Sequence, residues 1–262
     1  MNNSLSRSWT NIAGPLFAEQ SGDLSTSSRV LLHGFTQTSR SWDRYIQLLS
    51  AEQSILRLDA PGHAHSESVE ADLPSTAKMV ATQCGYGDYI GYSMGARLAL
   101  HIALLHPQNV RRLVLVSGSA GLRTPEERLA RTQSDELLAR EIAEIGVAHF
   151  VQKWLSAPMF AGLTSTPEEI QDRLRNTSEG LASSLRMSGT GTQESLWDDL
   201  HDLGMPVLLI VGAHDHKFVD IAQNMKLAIG SNATMVEIQN AGHSVHLEQT
   251  HQFQTVVEDF LK

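Results

Sequence analysis

DYIGYSMGARLALHIALL (88–105) is the stretch whose reading decides the fold. Residues 88–92 form a short apolar run of strand character, and residues 96–105 have the composition and spacing of a strong helix. Between them, Gly91-Tyr92-Ser93-Met94-Gly95 has the form G-x-S-x-G. A strand that becomes a helix within so few residues turns sharply, so Ser93 must take a strained backbone conformation. Only small residues at 91 and 95 let the neighbouring backbone pass. Ser93 then stands at a helix N-terminus, where free amides and the helix dipole favour a developing negative charge. The same pentapeptide can be an ordinary strand-to-helix turn, so its partners elsewhere in the chain must decide.

Outward from this turn, SRVLLHGF (28–35), SILRLDAPGH (54–63) and RRLVLVSGSAG (111–121) read as buried strands. Helical spacing falls at 42–49 and, weakly, at 78–84. Residues 8–20 read as a short edge hairpin punctuated by Gly14-Pro15. The pattern changes over 122–191, which is helical and charged and offers no strand, with Thr124-Pro125 as its N-cap and first helical residue. Alternation resumes with MPVLLIVGAHD (205–215), a helix at 221–229, TMVEIQNAGH (234–243) and a final helix at 247–260. Strands alternating with helices imply a mostly parallel sheet flanked by helices. A helical insertion after the sixth strand implies a cap over the carboxyl edge of the sheet, where ligands bind in such folds. The expectation is an α/β-hydrolase fold, with 1–121 and 192–262 as its core and 122–191 as the cap.

Composition narrows the function. A 262-residue chain with 41% hydrophobic and 19% charged residues can bury one large sheet core unaided. Its net charge of −9 disfavours nucleic-acid and anionic-membrane partners. The single cysteine, Cys84, cannot form an intrachain disulfide and reads as a small buried residue. MNNSLSRSWTN (1–11) lacks the apolar core of a signal peptide. No apolar run approaches the roughly 20 residues that span a bilayer, and a cytoplasmic protein is expected.

Two residues complete a catalytic set with Ser93. Asp215 ends the strand-like VLLIVGAHD, and His243 ends the loop Asn240-Ala241-Gly242-His243, giving the order Ser, Asp, His. In such a triad His243 takes a proton from Ser93, while Asp215 fixes the imidazole tautomer and stabilises the imidazolium. Asp198, Asp199 and Asp202 are rival acids, but none ends a strand; His246 and His251 fall on the final helix. The backbone N–H groups of Phe35 and Met94 are the expected oxyanion hole. His33 is expected to order the 33–35 loop by hydrogen bonding, and Asp59 to be structural.

Three stretches carry a closer resemblance: Gly91 through Gly95 with Ala96-Arg97; Gly121-Leu122 with the helix Glu126-Glu127-Arg128-Leu129-Ala130-Arg131-Thr132-Gln133-Ser134-Asp135; and Trp154, Pro158-Met159-Phe160-Ala161 and Leu174-Arg175. From Leu31 onward the chain resembles the SHCHC synthases, the pyruvate-eliminating lyases of menaquinone and phylloquinone biosynthesis. The resemblance implies a small polyanionic substrate, SEPHCHC, a cyclohexene bearing succinyl, ring and enolpyruvyl carboxylates. It puts basic substrate contacts at Arg97, Arg131 and Arg175, with Tyr92 and Trp154 lining the pocket. Arginine suits that task, because its planar fork binds carboxylates bidentately. Each arginine also has a plainer reading: Arg131 among Glu126, Glu127, Arg128 and Asp135, and Arg175 beside Arg173, could belong to solvated, ion-paired helix faces. Leu155 departs from the family, which often has tyrosine there. The resemblance implies neither metal nor organic cofactor, and no obligate protein partner is evident. A serine hydrolase of the same fold, acting on esters or carbon–carbon bonds, remains open, as does a non-catalytic receptor, which would have no need of an intact triad.

Overall fold

The computed structural model describes residues 7–23 and 27–262. Residues 1–6, part of the stretch that reads against a signal peptide, lie outside them. The chain runs β1 (Thr10–Asn11), β2 (Ala18–Ser21), β3 (Ser28–Leu32), α1 (Asp43–Ile46), β4 (Ile55–Leu58), α2 (Leu73–Cys84), β5 (Gly87–Tyr92), α3 (Met94–Leu105) and β6 (Val110–Val116). It continues through α4 (Pro125–Leu155), α5 (Pro167–Arg173), α6 (Ser178–Ser188), β7 (Val207–Gly212), α7 (His216–Ile229), β8 (Ala233–Ile238), α8 (Val245–Glu248) and α9 (Thr250–Phe260). The eight strands form one sheet in the order β1-β2-β4-β3-β5-β6-β7-β8. Pairing is parallel from β4 to β8, and the hairpin joins antiparallel with Ala18 opposite Leu58. This is the α/β-hydrolase fold that the strand pattern predicts.

Side-chain alternation sorts the strands between two cores. Val30, Leu32, Tyr89, Leu113, Leu115, Val207 and Leu209 face one side, against α2, α3 and α7 through Ala77, Val80, Leu98, Ile102 and Met225. Leu31, Ile90, Tyr92, Val114, Val116, Leu208 and Ile210 face the other, against α1 and α9 through Trp42, Tyr45, Phe253 and Val257. Strands apolar on both faces are what a parallel sheet sandwiched by helices requires. The hydroxyl of Tyr45 reaches Glu258 at 3.2 Å, and Arg29 ion-pairs with the same carboxylate, tying the start of the chain to its end.

Among the described residues, the insert between β6 and β7 contains helices joined by loops and no strand. Thr124 caps α4 reciprocally with Glu127, and Pro125 occupies the first turn, as the sequence predicts. Gly146 (φ 75°, ψ 162°) then breaks the helix, which the spacing did not anticipate. A second box, Thr166 with Glu169, starts α5, and Thr177 caps α6. Ala139, Ile142, Phe150, Leu181 and Leu185 give this layer its own small core.

Two boundaries differ from the sequence reading. Helix α2 starts at Leu73 rather than Lys78, because Asp72 accepts the Ser75 amide at 2.8 Å and Pro74 fits the first turn. The final helix divides into α8 and α9 at Gln249, whose backbone (φ −131°, ψ 54°) leaves the helical region.

The contact between α3 and β3 explains the small residues of the turn. A Cβ on Gly95 would lie 2.1 Å from the Leu32 carbonyl oxygen, and one on Gly91 2.2 Å from that of Gly95. Both obstacles are backbone, so no rotamer change relieves them. Gly95→Ala is expected to lower the melting temperature by about 5–10 °C, as an overpacked core position does in a chain of this size. An unchanged thermal unfolding curve would show that α3 can move off the sheet freely.

Candidate active site

Ser93 sits at φ 52° and ψ −106°, outside the regions open to most L-residues, so the strain expected of the turn is present. Its amide donates to the Val116 carbonyl at 2.9 Å, and its carbonyl accepts from Ala96 and Arg97, each at 3.1 Å. The residue is thus fixed between β5, β6 and the first turn of α3. Its Oγ lies 3.0 Å from His243 Nε2, and His243 Nδ1 lies 2.7 Å from Asp215 Oδ2. A carboxylate only accepts, so Nδ1 carries the proton, and Nε2 is left to accept from the Ser93 hydroxyl. Asp215 ends the turn after β7 and begins α7, while His243 lies in the loop after β8. The rivals Asp198, Asp199 and Asp202 lie ahead of β7, away from His243.

Ser93 and His243 open into a cavity of about 280 Å³ between the sheet's carboxyl edge and the helical insert, with Asp215 behind the histidine. Phe35 and Met94 both line it, and no hydrogen bond from either backbone N–H to a protein acceptor is found among the described residues. His33 donates from Nδ1 to the Gly34 carbonyl at 2.8 Å and accepts the Ala60 amide on Nε2 at 3.0 Å, ordering the loop as expected. Asp59 is buried and accepts the Ser39 amide at 2.8 Å and the His65 amide at 3.2 Å, which suits a structural carboxylate. Burial would raise its pKa, but His33 and these amides hold it below the usual range.

The arginines separate. Arg97, one helical turn past Ser93, is 8% exposed and lines the cavity. Among the described residues it donates only to neutral acceptors: the Ser188 carbonyl at 2.9 Å, Gln193 Oε1 at 3.1 Å and the Gly189 carbonyl at 3.4 Å. Burial, with nearby Arg131 adding to it, pushes its pKa down to about 10. Arg131 also lines the cavity while pairing with Asp135 at 2.7 Å, so its surface reading and its pocket reading both hold in part. Arg175 does not reach this cavity. It pairs with Asp172 at 2.9 Å and contacts His65, on the far side of α5. Its neighbour Arg173 is buried instead and donates to the Thr36 hydroxyl.

Trp154 lines the cavity, edge-on to Phe35 at 5.5 Å. Tyr92 does not. Strand alternation sends it to the opposite core, where its hydroxyl meets Ser244 Oγ at 2.8 Å and its ring lies 4.3 Å from His246. Residues that sequence reasoning missed also reach the cavity, chiefly Lys217 in the first turn of α7, two residues past Asp215. Its place beside the triad acid was the only available signal. A larger hollow of about 380 Å³, between residues 37–47 and α5, contains no triad residue. Among the described residues no cluster of His, Cys, Asp or Glu is arranged to hold a metal, and no helix is long and apolar enough to cross a membrane.

A strained serine between β5 and α3, a histidine after β8 and an acid after β7 are the marks of one class of fold and site. Residues 30–255 match the Alpha/beta hydrolase family, and the chain belongs to it. Within that family it is similar to proteins named 2-succinyl-6-hydroxy-2,4-cyclohexadiene-1-carboxylate synthase. A protein of Bacillus subtilis, provisionally assigned that name, is 35% identical over 259 residues, covering 92% of each chain. The synthase of that name from Enterobacter sp. is 32% identical, covering 84% of this chain and 85% of its own. The structure of MenH from S. aureus superposes with a TM-score of 0.86 at 27% identity, over 93% of this chain and 97% of that one.

Proposed function

We propose that this chain is a cytoplasmic carbon–oxygen lyase that eliminates pyruvate from SEPHCHC to give 2-succinyl-6-hydroxy-2,4-cyclohexadiene-1-carboxylate, a step of menaquinone or phylloquinone biosynthesis. The observation that carries the reading is Arg97: a buried guanidinium with only neutral acceptors, facing the same cavity as Ser93. The carboxylate of Asp135 acts on Arg97 from a distance and is already paired with Arg131. A buried cation without a hydrogen-bonded counter-charge of its own has a substrate carboxylate as its natural partner. Arg131 and Lys217 extend the basic side of the cavity, and Trp154 with Phe35 supplies an apolar wall for a ring.

In this reading His243 Nε2 takes the Ser93 proton, and Ser93 Oγ takes a ring proton of the substrate. The released electron pair forms the new ring double bond, and the bond from the ring carbon to the enolpyruvyl oxygen breaks. The departing enolate takes a proton from the His243 imidazolium and leaves as pyruvate, which restores the triad. A serine alcohol is a weak base at neutral pH. His243 as acceptor, Asp215 behind it and the N-terminus of α3 together favour the transient alkoxide. The amides of Phe35 and Met94 would hold the negative charge that builds on the substrate oxygen. The direct test is to give the purified protein SEPHCHC and follow pyruvate release. Hydrolysis of neutral p-nitrophenyl esters without any pyruvate release would favour a hydrolase instead.

Asp215→Asn should leave the fold intact and depress kcat by about 10²-fold, because the imidazole loses the carboxylate that sets its tautomer and angle. Asparagine at 198, 199 or 202 should leave kcat near wild type. Should one of those three prove essential while Asp215 is dispensable, the acid has been misassigned.

A further inference from the structure

The mechanism uses the imidazole of His243 but leaves open what holds its loop. That loop has no regular secondary structure, so His243 keeps its distance to Ser93 only if other groups bind its backbone. The His214 amide holds the Ala241 carbonyl at 2.9 Å and Gln249 Nε2 the Asn240 carbonyl at 3.0 Å, and three further side-chain bonds hold residues 242–244. The Ser117 hydroxyl donates to the His243 carbonyl at 2.8 Å. The other two converge on one side chain: the amide of Gly242 donates to Glu248 Oε2 at 2.8 Å, and that of Ser244 donates to Glu248 Oε1 at 2.9 Å. One carboxylate therefore grips the backbone on both sides of the histidine, with one oxygen for each neighbour.

The same carboxylate meets the helical insert. Gly162 packs so closely that a Cβ there would lie 2.4 Å from Glu248 Oε2, and the Met159 carbonyl oxygen would be 3.6 Å from a Cβ on Gly242. This segment also brings Met159 to the cavity and Phe160 edge-on to His243, with ring centroids 6.2 Å apart. Glu248 thus sits where the histidine loop and the insert touch.

We infer that Glu248 is a positioning residue for His243, setting the imidazole's reach to Ser93 through the amides of Gly242 and Ser244. The inference rests on the proposed triad, though not on the identity of the substrate. A carboxylate accepts both amides with charge-assisted bonds, whereas the isosteric glutamine keeps a single acceptor oxygen. Misplacing a catalytic group by even 1 Å can cost about 10²-fold in rate. Substrate binding, which falls to the arginines and the aromatic wall, should be spared.

The experiment compares E248Q, E248A and G162A with wild type in three measurements: kcat and KM for pyruvate release, the rate at which diisopropyl fluorophosphate labels Ser93, and amide exchange in the peptide spanning 241–245. For E248A, kcat and the labelling rate should fall together by about 10- to 100-fold, with KM within about threefold. E248Q should lie between E248A and wild type. G162A, which crowds the carboxylate without removing it, should move in the same direction. Exchange should rise at 241–245 and stay unchanged over β5 and β7. Labelling and kcat within twofold of wild type while exchange rises would overturn the inference, since the loop would then loosen without consequence. Raised exchange across the whole sheet would overturn it too, by returning Glu248 to general stability. If wild type released no pyruvate, the proposed reaction would fall, and the labelling rate would still decide the role of Glu248.

Discussion

Replacing Ser93 by alanine is expected to cut kcat for pyruvate release by at least about 10³-fold while leaving the thermal unfolding curve almost unchanged. The two halves of that expectation have separate physical sources. The backbone strain at φ 52° belongs to the turn between β5 and α3, and alanine, which also carries a Cβ, inherits it unaltered. The hydroxyl makes one side-chain contact, to His243 Nε2, and that nitrogen borders the cavity, where water can replace the lost partner. Little stability is therefore at stake. The chemistry, by contrast, loses the only group placed both to give its proton to the imidazole and to reach a substrate seated in the cavity. Activity within tenfold of wild type, in protein with an unshifted melting curve, would remove Ser93 from the mechanism.

The second large effect concerns Arg97. Its replacement by alanine should lower kcat/KM for SEPHCHC by about 30- to 5,000-fold, corresponding to roughly 2–5 kcal/mol for truncating one partner of a buried charge pair. A small neutral ester has no carboxylate to lose, so its turnover should change little. Part of any loss could come from the carbonyls of Ser188 and Gly189, left without their donor. Such damage would strike both substrates equally, which is why the ratio between them is the informative quantity. Arg175→Ala provides the contrast: its partly exposed pair with Asp172 should contribute less than about 1 kcal/mol to stability, and kinetics should be untouched. Equal losses on the anionic and neutral substrates of Arg97→Ala would take the carboxylate reading down.

What was legible in the sequence was whatever local rules decide. The turn at Gly91 to Gly95, the turn after β7 that ends at Asp215 and the loop ending at His243 carry their geometry in their own residues. So do Thr124-Pro125 at the start of α4 and the apolar runs of the sheet. What failed depends on partners distant in sequence. Arg173 and Arg175 are two residues apart, and nothing local says that packing against Thr36 buries the first and leaves the second on Asp172. Tyr92 adjoins the nucleophile in sequence, yet the pleat of β5 sends it to the other face of the sheet, under His246. The alternation of β5 carries that placement, whereas only the family resemblance puts Tyr92 in the pocket. Asp72 before Leu73-Pro74-Ser75 was a helix start in plain view. The break at Gly146, the grip of Glu248 and the reach of Lys217 into the cavity emerge only once the insert is folded onto the sheet.

The tie between α9 and the first strands bears on how the molecule is made. Synthesis delivers the chain from its N-terminus, at about 5–20 residues per second. Strands β3 to β6 can pair as they emerge, since β4 joins both β2 and β3, and β5 and β6 then extend the sheet from β3. The side of the sheet lined by Trp42 and Tyr45, however, is covered by Phe253 and Val257, which follow every strand in the chain. Until α9 emerges that side stays open, and His243 has no fixed place beside Ser93. Closing the hydrophobic layer and bringing His243 to Ser93 thus both wait for the segment after β8, so a chain cut short before it would carry the serine elbow without the histidine beside it.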